Sequence, residues 1–464
     1  MTLWYPGTLN PDIPKYQALA AAISHAILNG ELPPGARLPP QRLLADALQV
    51  TTGTVTRGYA EAERQGLLEA RVGSGTYVRQ ASQADSFRIE STQSDGLDLG
   101  FTLALEDNQA ASLSQSLRVI ADDLPLLRQL TSFVPETGLE RHRAAAQEWL
   151  SWEGIHRPLE EILLCGGGQN GLFTALHTLC DSGDTVLSEG LTYSGMILAA
   201  RHLRLRHVGL PLDDEGMLPN DLKIACERYR PRALYLMPQL QNPTGRQMSL
   251  QRKQELLDIC HHFGVMVIED NVQSTLLADT STPMISLMPH QVVGISSCTK
   301  CFAGGVRVGF LVPPRAWLDR FRMAMRVNSW MISPIMAEMT ARWINHEAQD
   351  SLRRQRAKAK QRHDLARQYL TGFDYHAHDH SLSGWLTLPE HWRASEFVRH
   401  LGTLDVQIKA ADVFAVGQYR APQAVRICVG APATEETLRL ALGHMRQALP
   451  QTSADDSWLW RSTI

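Results

Sequence analysis

In the stretch "SSCTKCFAGGVRVGF", residues 296–310, Lys300 ends an apolar run between small hydroxyl and thiol residues, and two glycines and Arg307 follow it. An amine placed there, beside Ser297, Thr299 and Arg307, has the company of an anion site. Other motifs upstream and downstream ask for the same kind of explanation. "ILLCGGGQNGLFTAL" runs from a strand pattern through three glycines into a helix pattern, so the amides of Gly168 and Gln169 fall at a helix N-terminus, where phosphate is favoured. "EGLTYSG" offers the aromatic face of Tyr193, and the turn "PQLQNPTG" offers the amide of Asn242. "VMVIEDN" ends an apolar strand on Asp270, and "QAVRICVG" carries Arg426 on a strand, where a guanidinium can fork onto a carboxylate.

These residues meet the demands of one cofactor. Pyridoxal 5'-phosphate needs an amine for its Schiff base (Lys300), a phosphate cradle (Gly168, Gln169, Ser297, Thr299, Arg307) and a carboxylate for its ring nitrogen (Asp270). It also needs a stacking face (Tyr193) and a donor to its phenolic oxygen (Asn242), while Arg426 is left for the carboxylate of a bound small molecule. Cys298 and Cys301 form a CxxC around the lysine, but zinc would require a second pair, so no metal is expected.

Positioning these groups requires a large scaffold. At 464 residues the chain exceeds one ordinary core, and 44% hydrophobic with 20% charged residues fits a soluble globular protein. From residue 99 onward, apolar runs ("EILLC", "DTVLSE", "ALYLMP", "VMVIED", "VVGISS", "VGFLV") alternate with helical patterns. The expected fold class is therefore α/β: a large, mostly parallel sheet wrapped by helices, followed by a smaller α+β lobe. Seven scattered cysteines suit a reducing compartment, and neither a signal peptide nor a membrane-length span appears, so the cytoplasm is the expected location, with no membrane partner.

The first eighty residues read differently. Three helix patterns, the second "QRLLADAL" and the third "TVTRGYAEAERQG", precede two short strand patterns around Gly73-Ser74-Gly75, which describes a winged helix-turn-helix. The ordered series "LPPGARLPPQRLLADALQVTTGTVTRGYAEAERQGLLEARVGSGTYV" resembles the GntR-type DNA-binding head. The resemblance implies that Thr51, Thr52, Thr54 and Arg57 face the major groove of double-stranded DNA, that Arg42 touches its backbone and that Gly73, Ser74 and Gly75 approach the minor groove. Relatives commonly carry arginine where Thr52 stands, so base readout by one head should be modest and two heads should be needed.

Taken in order, the glycine-rich turn, Tyr193, Asn242, Asp270, Lys300, Arg307 and Arg426 resemble the fold-type I aminotransferases, and the whole chain resembles MocR-type regulators. That resemblance implies a DNA-binding head at 1–80, a linker at 81–98 and an aminotransferase-like domain at 99–464 that binds an effector and dimerises head-to-tail. The implied effector is an amine, an amino acid or vitamin B6. Gln273 stands where the family often has a tyrosine contacting the phenolic oxygen, and Phe133 where some relatives offer a tyrosine to the neighbouring subunit's phosphate. A working aminotransferase that carries a DNA-binding domain is the alternative. A cofactor-free, degenerate domain is a third reading, against which the retention of Lys300, Asp270 and Arg307 argues.

Overall fold

The computed structural model describes residues 4–7, 9–11, 13–28, 31–33, 35–64, 67–71, 75–78, 97–279 and 281–451. The chain forms two compact units, 1–92 with 417–422, and 93–416 with 423–464.

In the first unit the helices Lys15–Leu28, Gln41–Leu48 and Thr52–Arg64 precede the antiparallel strands Leu68–Arg71 and Gly75–Val78. The heptad-like spacing of apolar residues has its reason in one small core, where Leu19, Ile23, Leu44, Val55, Tyr59 and Ala62 are all buried. Tyr59 donates its buried hydroxyl to the Pro39 carbonyl at 2.8 Å, which fixes the third helix against the turn before the second. Gly58 lets the first and third helices approach closely, since a Cβ there would lie 2.7 Å from Leu19.

The second unit is built on a seven-stranded sheet. Its spatial order is Leu163–Cys165, Gly309–Val312, Val292–Ser297, Met266–Asp270, Ala233–Leu236, Thr185–Glu189 and Arg206–Leu210. The last five of these run parallel to one another, and only Gly309–Val312 is antiparallel to its two neighbours. Helices on both faces explain why these strands read as continuous apolar runs: Val267, Ile268, Val292, Val293, Leu234 and Leu236 are all buried. The helical stretch after Val312 divides into Leu318–Asn328, Pro334–His346 and Ala348–Tyr369, with Pro334 opening the second of them.

A smaller antiparallel sheet, in the order Asp374–His376, Gly384–Thr387, Ala424–Ile427 and Lys409–Ala410, carries the helices Ala394–Gly402 and Glu435–Ala448. One boundary differs from the sequence expectation. Of the expected linker, residues 81–96 lie outside the described residues, but Leu97–Asp98 forms a strand parallel to Val406–Gln407. Two residues are too few to show periodicity, which is why they read as linker.

Candidate functional site

The parallel strands end on one edge of the sheet, and the loops leaving that edge carry the predicted residues. In open α/β sheets ligands occupy the crevice beyond the strand C-termini, because there the loops diverge. Asp270 closes its strand, Lys300 follows Val292–Ser297 by one turn, Asn242 follows Ala233–Leu236 and Tyr193 follows Thr185–Glu189.

After Leu163–Cys165, Gly167 adopts φ +85°, which a side chain rarely tolerates, and caps the helix Gly168–Leu179. A Cβ on Gly167 would meet the Arg307 guanidinium at 2.9 Å, and one on Gly168 would meet Val272 at 2.6 Å. The glycines thus let the Arg307 guanidinium and Val272 pack directly against the helix N-terminus, and the helix leaves its first amides without helical carbonyls. Arg307 also donates to the Gly166 carbonyl at 3.1 Å. Gln169 donates to the Gly195 carbonyl at 3.2 Å, and its buried Oε1 has no partner among the described residues.

Asp270 is buried, with Oδ2 accepting from the Tyr235 hydroxyl at 2.8 Å and Oδ1 from the Val272 amide at 3.1 Å. Burial outweighs these bonds and pushes its carboxyl up to about 6. Lys300 donates to the Thr102 carbonyl at 2.6 Å. Burial first, then the cations Arg426 and Arg307, lower its ammonium to about 8, so a neutral amine is within reach near neutral pH. Burial and the nearby Asp270 hold the Tyr193 phenol up at about 12, against Arg307 and Arg426. Asp270, Tyr193, Lys300, Arg307 and Arg426 therefore share one electrostatic neighbourhood.

Arg426 is buried over the Phe414 ring, its guanidinium carbon 4.7 Å from the centroid. Its Nη1 donates to Asn242 Oδ1 at 2.8 Å and its Nη2 to the Gly100 carbonyl at 2.7 Å, while Nε has no partner among the described residues. Asn242 is thereby oriented with its oxygen toward Arg426 and its amide nitrogen left for another acceptor. Gln273 is buried and donates to the Leu240 carbonyl at 3.2 Å. Phe133 is 83% exposed.

Two predicted phosphate ligands also bond within the chain. Ser297 is buried, donates to the Val308 carbonyl at 3.0 Å and accepts the Thr299 amide at 3.2 Å, so its hydroxyl shapes the turn that presents Lys300. Thr299 Oγ1 lies 2.9 Å from Ser297 Oγ and is half-buried. Among the described residues no group of three or more His, Cys, Asp or Glu could hold a metal ion.

Sequence reasoning missed three contributors: Tyr235, Gly100 and Thr102. A tyrosine inside an otherwise apolar buried strand needs a partner for its hydroxyl, which is the signal that could have found Tyr235. Gly100 and Thr102 act through main-chain carbonyls, for which side-chain type gives no sign.

In the first unit, Arg42, Thr52 and Arg57 are exposed, and Thr54 is partly so. Thr51 is exposed as well, and its side chain also serves the helix itself. Its Oγ1 accepts the Thr54 amide at 3.2 Å and lies 2.9 Å from Thr54 Oγ1, so it caps the third helix. Arg57 is held with its guanidinium carbon 4.5 Å from the centroid of the Tyr16 ring. Gly75, at φ +119°, begins the second strand of the wing, whereas Gly73 and Ser74 lie outside the described residues.

A glycine-framed helix N-terminus, a buried carboxylate and a lysine at the edge of a mostly parallel sheet define an aminotransferase-type domain, preceded here by a winged helix-turn-helix. Residues 104–445 match the family "Aminotransferase class I and II", and residues 15–78 match "Bacterial regulatory proteins, gntR family". The chain is 31% identical to the uncharacterized HTH-type transcriptional regulator YdeF of Bacillus subtilis, over 96% of each chain. It is 27% identical to the uncharacterized HTH-type transcriptional regulator YdcR of Escherichia coli, over 87% of this chain and 92% of that one. A crystal structure of Pyrococcus horikoshii kynurenine aminotransferase, in complex with PMP, superposes with a TM-score of 0.71 at 18% identity, covering 80% of this chain and 95% of that one. LysN, the alpha-aminoadipate aminotransferase of Thermus thermophilus, complexed with N-(5'-phosphopyridoxyl)-L-leucine, gives 0.69 at 21% identity, covering 80% and 97%. The chain belongs to the aminotransferase class I and II family, in its MocR-type branch of HTH-type transcriptional regulators, where a gntR-family head precedes the aminotransferase domain.

Proposed function

We propose that the protein is a DNA-binding transcriptional regulator whose second unit holds pyridoxal 5'-phosphate and responds to a small amine or amino acid, or to vitamin B6 itself. The observation that carries this reading is the convergence of Lys300, Arg307 and Arg426 with the buried carboxylate of Asp270 at one sheet edge, on a chain that carries a gntR-family head. The cations Lys300, Arg307 and Arg426 beside Asp270 favour an anion, and the helix N-terminus at Gly167 and Gly168, with Arg307 packed against it, suits a phosphate. The residues fit the group.

When bound, the cofactor supplies an aldehyde that takes up amines and a ring that withdraws electrons from the carbon attached to them. The chain's own residues do the rest. The Gly168 and Gln169 amides and Arg307 hold the phosphate, with Thr299 beside them and Ser297 fixing the turn. Tyr193 would stack on the ring, and the Asn242 amide and Gln273 would serve its phenolic oxygen. Asp270, ionised above about pH 6, keeps the ring nitrogen protonated, and Tyr235 stabilises that ionised form. Lys300 would anchor the cofactor covalently through Nζ, and Arg426 would receive a carboxylate.

In the head, Arg42, Thr52, Thr54 and Arg57 contact operator DNA, with Gly73, Ser74 and Gly75 at the wing tip, and Thr51 acts by holding the helix start. The acting form is a homodimer, head-to-tail, so that two heads read two half-sites. Exposed Phe133 and Trp330, whose rings lie 6.2 Å apart, are apolar surface that a second copy would cover.

The test is a Lys300→Ala variant. The wild-type protein should absorb visible light and the variant should not, and the variant should keep its DNA affinity while losing the response to amines. Colour that survives the substitution refutes the assignment. The completeness of the site keeps turnover as a second reading, and rapid amino-group transfer without any change in DNA binding would select it.

A further inference from the structure

The segment that opens the second unit reaches into the site through its main chain. Leu97–Asp98 is hydrogen-bonded along Val406–Gln407, the Leu99 amide donates to the Gln407 carbonyl at 2.8 Å, and the Leu99 carbonyl accepts from Cys428 at 2.9 Å. Asp98 Oδ1 then takes the Gly100 amide at 2.6 Å, which turns the Gly100 carbonyl onto Arg426 Nη2 at 2.7 Å. Two residues further on, the Thr102 carbonyl holds Lys300 Nζ at 2.6 Å. The two cations assigned to the effector and to the cofactor are thus both tied to one short strap.

The two ties respond differently to a ligand. Arg426 has Nη1 on Asn242 and an unpartnered, buried Nε, so a carboxylate forking onto the Nε and Nη2 edge satisfies the orphan and displaces only the Gly100 carbonyl. An ionised carboxylate outcompetes a neutral carbonyl for a guanidinium, because charge-assisted bonds are about twice as strong. When an incoming amine takes the place of Lys300, one C–N bond forms as another breaks and two hydrogens pass from the incoming nitrogen to Nζ. Lys300 is then a free amine again and returns to the Thr102 carbonyl.

We propose that residues 98–102 are a signalling strap that a ligand carrying both an amine and a carboxylate resets: the Thr102 end is tied again by the freed Lys300, the Gly100 end comes free, and the change enters the chain where it leads toward the DNA-binding head. This deepens the regulatory reading of the same site and rests on it. It also narrows the effector class to amino acids, since an amine without a carboxylate leaves Gly100 on Arg426.

The experiment uses the full-length, cofactor-loaded protein and two probes that both take up the cofactor aldehyde, aminooxyacetate and methoxyamine, which differ in the carboxylate. Hydrogen exchange should quicken at the Leu99, Gly100 and Cys428 amides by on the order of tenfold with aminooxyacetate, about one lost hydrogen bond, and stay unchanged with methoxyamine. Asp98→Ala, which removes only the acceptor of the Gly100 amide, should exchange fast without any probe. It should keep the absorbance response to aminooxyacetate and lose the effect on DNA affinity, and Asp98→Asn should restore it. Equal exchange with both probes, while absorbance reports that both have reacted, overturns the strap and leaves the cofactor reading intact. No absorbance change with either probe overturns both.

Discussion

Replacing Asp270 by asparagine should stabilise the cofactor-free protein while weakening its hold on the cofactor. The side chain is buried, and its carboxyl is displaced from the ordinary 3.8 to about 6, chiefly by burial. That displacement corresponds to about 3 kcal/mol. The sign follows from proton counting: between pH 4 and 6 the folded state binds more protons at this site than the unfolded state, so the contribution is fully present below about pH 4 and is lost as pH rises through about 6. Asparagine keeps both hydrogen bonds, accepting from the Val272 amide and donating to the Tyr235 oxygen, but carries no charge to bury. The variant's advantage should therefore be near zero at the lowest usable pH and grow to about 3 kcal/mol above pH 7, an upper bound because buried sites relax. Urea unfolding of both cofactor-free proteins across that range, followed by tryptophan fluorescence, measures the gap. Cofactor titration by absorbance should show weaker binding by on the order of 10 to 100-fold, for the loss of one charge-assisted bond. A stability gap that does not change with pH, or an unaltered cofactor affinity, would refute the reasoning.

Arg307→Ala should raise the cofactor dissociation constant by on the order of 10 to 100-fold while leaving visible absorbance at saturation, because one cation over the Gly167 cradle is removed and the lysine remains; absorbance titration checks it, and unchanged affinity removes that arginine from the cradle. Thr51→Ala should lower the stability of the head by about 1 kcal/mol through the lost helix cap without altering base preference. Selection of binding sites from random DNA checks this, and a changed preference would return Thr51 to the groove.

The fold was legible wherever burial imposes a pattern on side chains. Strands covered on both faces must be apolar throughout, so Val292–Ser297 and Met266–Asp270 stand out, and the polar residue that ends each marks the edge where a ligand could sit. Arg426 was legible for a related reason, as a charge on an otherwise apolar strand. Side chains that could equally serve the ligand or the backbone were less so. Ser297 and Thr51 have the composition of anion and DNA contacts, yet both hydroxyls close local turns, since a hydroxyl beside a free amide two or three residues on satisfies it at little entropic cost.

The arrangement also explains why three cations and a buried carboxylate can coexist without a ligand. A lone Arg426 buried over Phe414 would be strongly destabilising, and the Asn242 oxygen and the Gly100 carbonyl offset that cost in part. The compensation is incomplete, because Nε stays unpartnered and a carbonyl is a weaker partner than a carboxylate. Lys300 stands in the same position, its ammonium lowered to about 8 with only a carbonyl to hold it. A purely structural site would be expected to satisfy such groups fully within the chain. Here Arg426 and Lys300 are each held by a replaceable carbonyl, that of Gly100 and that of Thr102, and both carbonyls belong to the segment that opens the second unit, so occupation of the site and the conformation of that segment cannot vary independently.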